Sequence, residues 1–208
     1  MNMEDWSSVI DQAVGLGTRM VQFIGGEPTL HRGLPDLVGH ALGRGLQVEV
    51  FSNLVHVSPQ LWDVFGQPGV QVATSYYADR ADQHESITQG CGSYARTKAN
   101  IAEVVRRSVP LRVGVIDVQD EQRVGQALAE LAGLGVDEMR VDDLRQVGRG
   151  HKFIGCLKHA ASFMITEGER RAPSRAAPRT ETVTLTGHRD PRWCHDHRRG
   201  TRNRTPHG

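Results

Sequence analysis

The residues best suited to chemistry in this chain lie in the stretch Val21–Leu30. An apolar run leads into Gly25 and Gly26, Glu27 comes next, and Pro28 restrains the exit of the turn. Glycine lets the backbone adopt positive φ values and approach a ligand closely. A carboxylate and exposed carbonyl oxygens accept hydrogen bonds. The pattern therefore predicts a loop that binds a ligand carrying an ammonium group.

Residues at three further predicted strand ends either contact a ligand or have a role in the fold alone. Ser52 and Asn53 follow one predicted strand, Ser75 lies near the end of the next, and Ile116 ends a third. Each has a simpler interpretation as well. Asn53 can cap a turn without any ligand, serine is common in strands, and Ile116 fits an apolar core. Both interpretations stay open for each residue.

The first 150 residues alternate between apolar runs and helical patterns, which is typical of βαβ units with parallel strands. In such sheets ligands bind beyond the carboxyl ends of the strands. The apolar run that leads into the glycines is dense enough for a strand buried on both faces. The predicted strands are Met20–Ile24, Gln47–Phe51, Val70–Tyr76, Leu111–Ile116 and Glu138–Leu144. The predicted helices are one before Met20, capped by Asp5 or by Ser7 and Ser8, then 34–42, 59–65, a helix from the cap Ser93 to Arg107, and 122–134, with a polar loop over 78–92.

The string Gly25-Gly26-Glu27-Pro28 resembles the GGEP motif of the radical S-adenosylmethionine (SAM) enzymes. The stretch Gly148-Arg149-Gly150 is similar to a segment of their SPASM and twitch relatives, and the resemblance covers about Trp6 to Gly150. It implies a partial (β/α) TIM-like barrel of parallel strands. It also implies SAM-binding roles for the GGEP residues on the amino group, and for Ser52, Asn53, Ser75, Ile116 and Arg149 on the rest of the cofactor.

The resemblance also implies an activity. Such enzymes use a [4Fe-4S] cluster to cleave SAM to methionine and a 5′-deoxyadenosyl radical, which abstracts a hydrogen atom from the substrate. SPASM relatives often modify peptides, so a peptide substrate is expected. No residue of this chain is assigned a catalytic role by the resemblance.

The cysteines depart from the family pattern. The family's cluster is held by CxxxCxxC ahead of GGEP, but Cys91, Cys156 and Cys194 all follow it and are widely separated. The cluster ligands are therefore expected to be absent, and with them the first strand of the barrel. We then expect the chain to be inactive alone, and the strand before Gly25 to have an unpaired edge that invites association.

The residues after Gly150 differ in composition from those before. Residues 1–150 contain 13 Lys and Arg against 19 Asp and Glu, whereas residues 151–208 contain 12 against 5. We predict a partial barrel over 1–150 and a disordered basic tail over 151–208, whose origin is a shifted reading frame. The tail's charge suits phosphates, but it lacks the aromatic interleaving of a nucleic-acid module. Four tail residues are of types that bind zinc, namely His188, Cys194, His195 and His197. The composition of the tail alone explains their presence, so no metal site is predicted.

Two alternatives remain open at this stage. Besides a radical SAM enzyme, the sequence allows a non-catalytic, cluster-free partial barrel, or an iron-independent barrel enzyme in which Glu27 acts as acid or base with help from His31. No long apolar run marks a membrane span or a signal peptide, which predicts a cytoplasmic protein without a membrane partner.

Overall fold

The computed structural model describes residues 2–118, 121–143 and 182–186. Strands and helices alternate along the first two of these ranges, as the apolar periodicity predicts. The strands are β1 (Met20–Ile24), β2 (Gln47–Phe51), β3 (Val70–Tyr76), β4 (Leu111–Asp117), β5 (Glu138–Asp143) and β6 (Thr182–Thr186). The helices are α1 (Met3–Gly15), α2 (Leu34–Gly43), α3 (Pro59–Phe65), α4 (Ala81–Thr88), α5 (Ser93–Arg106) and α6 (Val124–Gly133), with a one-turn 3-10 helix at Pro28–Leu30.

The strands form one sheet in the order β5-β4-β3-β2-β1-β6. Every neighbouring pair is parallel. The predicted α/β class is confirmed, and so are the five strands of the first 150 residues to within one residue at each end. Parallel pairing places the carboxyl ends of all these strands at one edge, where the residues after each strand can meet.

One face of the sheet packs against the helices and forms the core. Its strand residues are almost entirely valine, together with Phe23 and Tyr76, and they contact apolar residues of α1, α2, α3, α5 and α6. Valine fits a pleated surface because its branched Cβ is already restricted in a strand. In β1, Val21 and Phe23 are buried while the three alternate residues are half-buried. The prediction that this strand is buried on both faces is therefore wrong.

The opposite face of the sheet carries a polar cluster around Glu49. The Glu49 side chain is 5% exposed and pairs with the Arg112 guanidinium at 2.9 Å. Gln71 donates to its Oε2 atom at 2.8 Å, and Gln22 donates to Oε1. Four adjacent strands contribute one residue each, so the buried charge is neutralised and hydrogen-bonded where it lies.

The edge of β1 is paired, contrary to the sequence-based expectation. Strand β6 runs parallel to β1, with Met20 opposite Thr182 and Ile24 opposite Thr186. The predicted unpaired edge is therefore wrong, because a segment of the basic tail occupies it. The other tail residues lie outside the described ranges, and the domain boundary at Gly150 stays a prediction.

Three local predictions about the helices are corrected. Asn2, rather than Asp5 or the two serines, caps α1, and Asp5 completes a reciprocal capping box with it. The predicted loop over 78–92 contains helix α4. Ser93 is the first residue of α5 rather than its cap, and its hydroxyl hydrogen-bonds to that of Thr88 at 2.7 Å.

Among the residues that the structure describes, no helix is long and apolar enough to cross a membrane.

The Glu49 cluster predicts a large effect of removing its cation. We expect Arg112→Met to lower the free energy of unfolding by about 3 kcal/mol, because it leaves a buried carboxylate without its charge partner. Adding Glu49→Gln should restore most of that loss. Urea unfolding measures both changes.

Arg140→Met is the matched control, since the Arg140 and Glu138 side chains are 66% and 54% exposed. An exposed pair contributes about 0–1 kcal/mol. Equal losses for Arg112→Met and Arg140→Met would contradict this account of Glu49.

Candidate functional site

Two glycines with positive φ turn the chain at the carboxyl end of β1. Gly25 has φ 96° and Gly26 has φ 52°. An L side chain rarely adopts the first of these values, so glycine is required there. The chain then enters the 3-10 helix through Glu27 as its cap. The strand, the two glycines and the acidic cap thus form the loop that the sequence predicts.

The Glu27 carboxylate joins this loop to the neighbouring strand end. Its Oε1 atom accepts hydrogen bonds from the Thr29 amide (3.2 Å), the Thr29 hydroxyl (2.8 Å) and the Ser52 hydroxyl (2.7 Å). Its Oε2 atom accepts from the Asn53 amide at 2.8 Å. Hydrogen bonds to a carboxylate are about twice as strong as neutral ones. Glu27 therefore fixes the end of β1 against the end of β2.

The loop after β2 is a tight turn built from side-chain hydrogen bonds. The Ser52 hydroxyl accepts from the Leu54 amide at 3.0 Å, and the Asn53 side chain accepts from the Val55 amide at 2.8 Å. Leu54 is fully buried with φ 53°, a strained value for a residue with a Cβ. The turn-capping interpretation of Asn53 is confirmed in its geometry. Ser52 is 1% exposed and links Glu27 to the turn.

Two residues of α5 also hold this turn, and neither is predicted as a site residue from the sequence. The Thr97 hydroxyl donates to the Asn53 carbonyl at 2.9 Å. The Asn100 amide group donates to the Leu54 carbonyl at 2.7 Å. Their spacing of three places them on one face of the helix. That spacing was visible in the sequence, but their partners lie more than 40 positions away, and nothing in the sequence indicates that pairing.

The ends of β3 and β4 are tied together by Gln122. Its amide group donates to the carbonyls of Tyr77 and Ile116, both at 2.6 Å, and its Oε1 atom accepts from the Val118 amide at 2.8 Å. Ser75 lies opposite Gly114 of β4 in the same part of the sheet. A Cβ added at Gly114 would lie 3.3 Å from a carboxylate oxygen of Asp142. The predicted positions Ser75 and Ile116 thus lie at the same sheet edge as the loop of Glu27.

A half-buried polar cluster lies on the helix face of the sheet, centred on Glu130 of α6. Its carboxylate accepts from the Tyr76 hydroxyl at 2.6 Å and the Tyr94 hydroxyl at 2.8 Å, and it pairs with Lys98. Burial raises the pKa of Glu130, but these three hydrogen bonds outweigh burial and hold the pKa below its usual value. Burial and the bond to Glu130 raise the pKa of Tyr76 far above its usual value. This cluster fastens α5 to α6 and β3.

His84 of α4 packs against the same aromatic residues. It is 1% exposed, and its ring lies edge-on to those of Tyr76, Tyr77 and Tyr94 at centroid distances of 5.1 to 5.8 Å. Burial lowers the pKa of His84, although a hydrogen bond to Ala78 and the charges of Glu85 and Glu130 oppose this effect. Its Nδ1 atom has no hydrogen-bond partner in the described part of the chain. The neutral ring is therefore the form that the fold accommodates.

The structure describes only some of the residues that were singled out from the sequence. Arg149, Cys156 and Cys194 lie outside the described residues, as do the tail histidines. Cys91 is an exposed free cysteine. In the ranges that the structure describes, no group of three His, Cys, Asp or Glu residues could hold a metal ion.

The geometry does not favour the pairing of Glu27 with His31. The His31 Nδ1 atom accepts from the Gly33 amide at 3.2 Å, whereas Glu27 bonds to Thr29 and the turn after β2. The two side chains thus make separate local contacts, with no described hydrogen bond between them. The iron-independent acid–base alternative therefore gains no support from this loop.

Known proteins resemble this chain in both sequence and fold, although no protein-family model matches it. The PqqA peptide cyclase of Xanthomonas campestris pv. campestris is 27% identical over 181 residues, which cover 83% of this chain and 48% of the relative. The crystal structure of Streptococcus suis SuiB bound to precursor peptide SuiA superposes with a TM-score of 0.60 at 13% identity, covering 69% of this chain and 33% of SuiB. Native anSMEcpe with bound AdoMet and Kp18Cys peptide has a TM-score of 0.58 at 13% identity, covering 69% and 43%.

The sequence likeness to a peptide cyclase and the fold likeness to two peptide-bound structures agree with the family that the GGEP stretch predicts. This chain resembles the radical SAM enzymes in both sequence and fold. The predicted partial barrel is confirmed with it. The finer resemblance to SPASM and twitch proteins rests on Gly148-Arg149-Gly150, which lies outside the described residues, and stays a prediction.

The radical SAM likeness covers only part of the relatives. The chain spans about half the length of the PqqA peptide cyclase that it matches. A match over 83% of 208 residues necessarily extends past Gly150, so residues beyond the predicted boundary take part in it.

The Glu27 hydrogen bonds predict a loss of stability when the carboxylate is replaced. We expect Glu27→Gln to lower the free energy of unfolding by about 1–3 kcal/mol, because an amide nitrogen cannot accept the bonds that one oxygen now receives. Chemical unfolding at pH 7 measures the change.

Glu4→Gln is the control, an exposed change in the first turn of α1 expected to cost at most about 0.5 kcal/mol. If Glu27→Gln were no more destabilising than Glu4→Gln, the bridging role of Glu27 would be wrong.

Burial of His84 predicts that the protein loses stability in mild acid. The unfolded chain takes up a proton near pH 6.5, whereas the folded chain does so only at lower pH, because burial lowers the pKa of His84. Stability from this residue is therefore present above pH 6.5 and declines as the pH falls through the folded pKa. Thermal unfolding of the wild type and of His84→Phe between pH 8 and pH 5 tests this.

The variant should show a smaller loss between these limits than the wild type. His56→Gln, at an exposed position, should leave the wild-type loss unchanged. A pH dependence that persists in full in His84→Phe would assign it to another group.

Proposed function

We propose that this chain binds S-adenosylmethionine at the carboxyl edge of its sheet, as the barrel of a radical SAM enzyme that modifies a peptide. The observation that carries the proposal is the loop after β1, where two positive-φ glycines lead into a carboxylate fixed against the next strand end. AdoMet and peptides are bound to structures of the same fold. The PqqA peptide cyclases are named for action on a peptide.

The residues present fit the ammonium end of SAM. An ammonium group has only donors, so its site must offer acceptors and negative charge. A carboxylate oxygen takes about two hydrogen bonds comfortably, and the Oε1 atom of Glu27 already accepts three of the described ones. Its Oε2 atom accepts one. Oε2 is therefore the Glu27 atom proposed to receive an ammonium proton, beside the backbone carbonyls of Gly25 and Gly26.

The other cofactor residues keep distinct proposed roles. Asn53 is exposed, so it is the better of the two residues after β2 for a hydroxyl contact, whereas the buried Ser52 supports Glu27. Ser75 and Ile116 are half-buried at the same edge and are proposed to contact the nucleoside. Pro28 is buried and shapes the loop. Arg149 stays a prediction from the sequence.

The [4Fe-4S] cluster does not fit the residues present. The chain has three cysteines without the CxxxCxxC spacing, and no set of metal ligands occurs within the described ranges. We therefore assign no cluster ligand and no catalytic step to this chain. A reduced cluster would be needed for the radical chemistry of SAM, and the residues described in this chain would bind and orient SAM itself.

The cysteine pattern favours a second candidate, a cluster-free barrel that binds SAM without turning it over. Anaerobic loading of the purified chain with iron and sulfide separates the two candidates. A bound cluster whose electron paramagnetic resonance spectrum changes on adding SAM supports the enzyme. SAM binding without iron uptake supports the cluster-free barrel. We propose a cytoplasmic location for the protein under either candidate function.

The proposed site predicts that SAM binding depends on the loop after β1. We expect the wild type to bind SAM in isothermal titration calorimetry and Gly25→Ala to weaken binding at least tenfold, because alanine at φ 96° forces the loop to move. Gly17→Ala is a matched control with φ 81° in the turn before β1 and open space around it.

Gly17→Ala introduces a similar backbone strain, but it does so away from the proposed site. Its affinity for SAM should therefore equal that of the wild type. Absence of SAM binding to the folded wild-type chain would sink the proposed function.

A further inference from the structure

The turn after β2 accepts hydrogen bonds from two side chains of α5. Thr97 donates to the carbonyl of Asn53, and Asn100 donates to the carbonyl of Leu54. Thr97 is 2% exposed, and Leu54 is fully buried. Two successive peptide carbonyls of one turn are thus fixed from a single helix face.

This turn needs outside support to keep its shape. Leu54 has φ 53°, and such a conformation costs about 1–3 kcal/mol and persists only where the surroundings determine it. The Ser52 hydroxyl holds the Leu54 amide, and Asn100 holds its carbonyl. The strained residue is therefore clamped on both of its peptide groups.

The same turn carries the two donors that bind Glu27 from the second strand. The Ser52 hydroxyl donates to Oε1, and the Asn53 amide donates to Oε2. The Asn53 carbonyl accepts a hydrogen bond from the Thr97 hydroxyl, so α5 sets the orientation of Asn53. A continuous set of hydrogen bonds runs from α5 through the turn to Glu27.

Helix α5 is itself held firmly on other sides. Ile101 and Val104 are fully buried in the core, while Tyr94 and Lys98 bond to Glu130 of α6. The helix thus provides a fixed reference on which the turn can be set.

We propose that Thr97 and Asn100 are positioning residues for the ammonium-binding loop. Their hydrogen bonds fix the conformation of the turn after β2. The turn orients the Glu27 carboxylate, and the carboxylate fixes the conformation of the loop from Gly25 to Thr29. The two residues do not touch the ligand. The part of this proposal that concerns SAM rests on the proposed function, whereas the coupling between α5 and the loop does not.

Hydrogen exchange followed by mass spectrometry tests the coupling without any ligand. Thr97→Val keeps the shape of the side chain and removes the donor, and Asn100→Ala removes the second donor. We expect both variants to exchange faster in peptides covering 52–55 and also in peptides covering 25–29, by about fivefold for the loss of one hydrogen bond. Thr97→Ser keeps the hydroxyl and should restore the wild-type rates.

Thr88→Val is the matched control, since its hydroxyl bonds to Ser93 rather than to the turn. It should leave exchange in both regions unchanged. Faster exchange confined to 52–55, with 25–29 as in the wild type, would overturn the proposal.

Calorimetry with two ligands separates a positioning role from a general loss of structure, because a general loss of structure would change the affinity for both ligands alike. We expect Thr97→Val to weaken SAM binding about fivefold while binding of 5′-methylthioadenosine, which lacks the amino acid part, stays at the wild-type value. Equal weakening of both ligands contradicts a role at the ammonium end. If the wild type binds neither ligand, the proposed function fails, and the exchange experiment still decides the coupling.

Discussion

The described site depends on one carboxylate that accepts donors from two strand ends at once. Glu27 takes bonds from its own loop through Thr29 and from the next strand end through Ser52 and Asn53. Parallel strands bring these ends near each other, but the ladder itself stops at Phe51. The Ser52 amide still donates to the Ala73 carbonyl of β3 at 2.9 Å, and the backbone groups that follow it in the turn are hydrogen-bonded by side chains. Glu27, Ser52 and the donors of α5 make such bonds, and they define the loop.

The same solution recurs elsewhere in the sheet. Gln122 extends the connection between β3 and β4 past their last paired residues. On the face away from the helices, the Glu49 carboxylate joins four strands through its hydrogen bonds to side chains of the neighbouring strands, and it pairs there with the Arg112 guanidinium. In each case a polar side chain on one element satisfies groups from several others. The apolar core positions the strands, and these few polar side chains then decide the geometry at the edge where a ligand would bind.

The sequence predicted the first five strands well, but it did not predict β6 in the tail, and it predicted the connections between elements less well, for a physical reason. Apolar runs such as Met20–Ile24 encode burial locally, so their bounds could be read directly. Helix α4 was missed because His84 is its only buried residue and gives no apolar stripe. The glycines and Glu27 were recognised from their spacing. The partners of Glu27 lie about 25 positions away, and Thr97 and Asn100 lie farther still, so only folding reveals them.

Strand β6 has a consequence for the order in which the protein is made. It covers the edge of β1, yet Met20 and Thr182 are far apart in the chain. A ribosome adds about 5–20 residues per second, so about 2–8 seconds separate the synthesis of β5 from that of β6. During this interval the strand that carries the glycine loop is already made while its outer hydrogen-bonding groups lack their partner. The nascent chain is then open to wrong pairing, and a chaperone that shields strand edges would act in that interval.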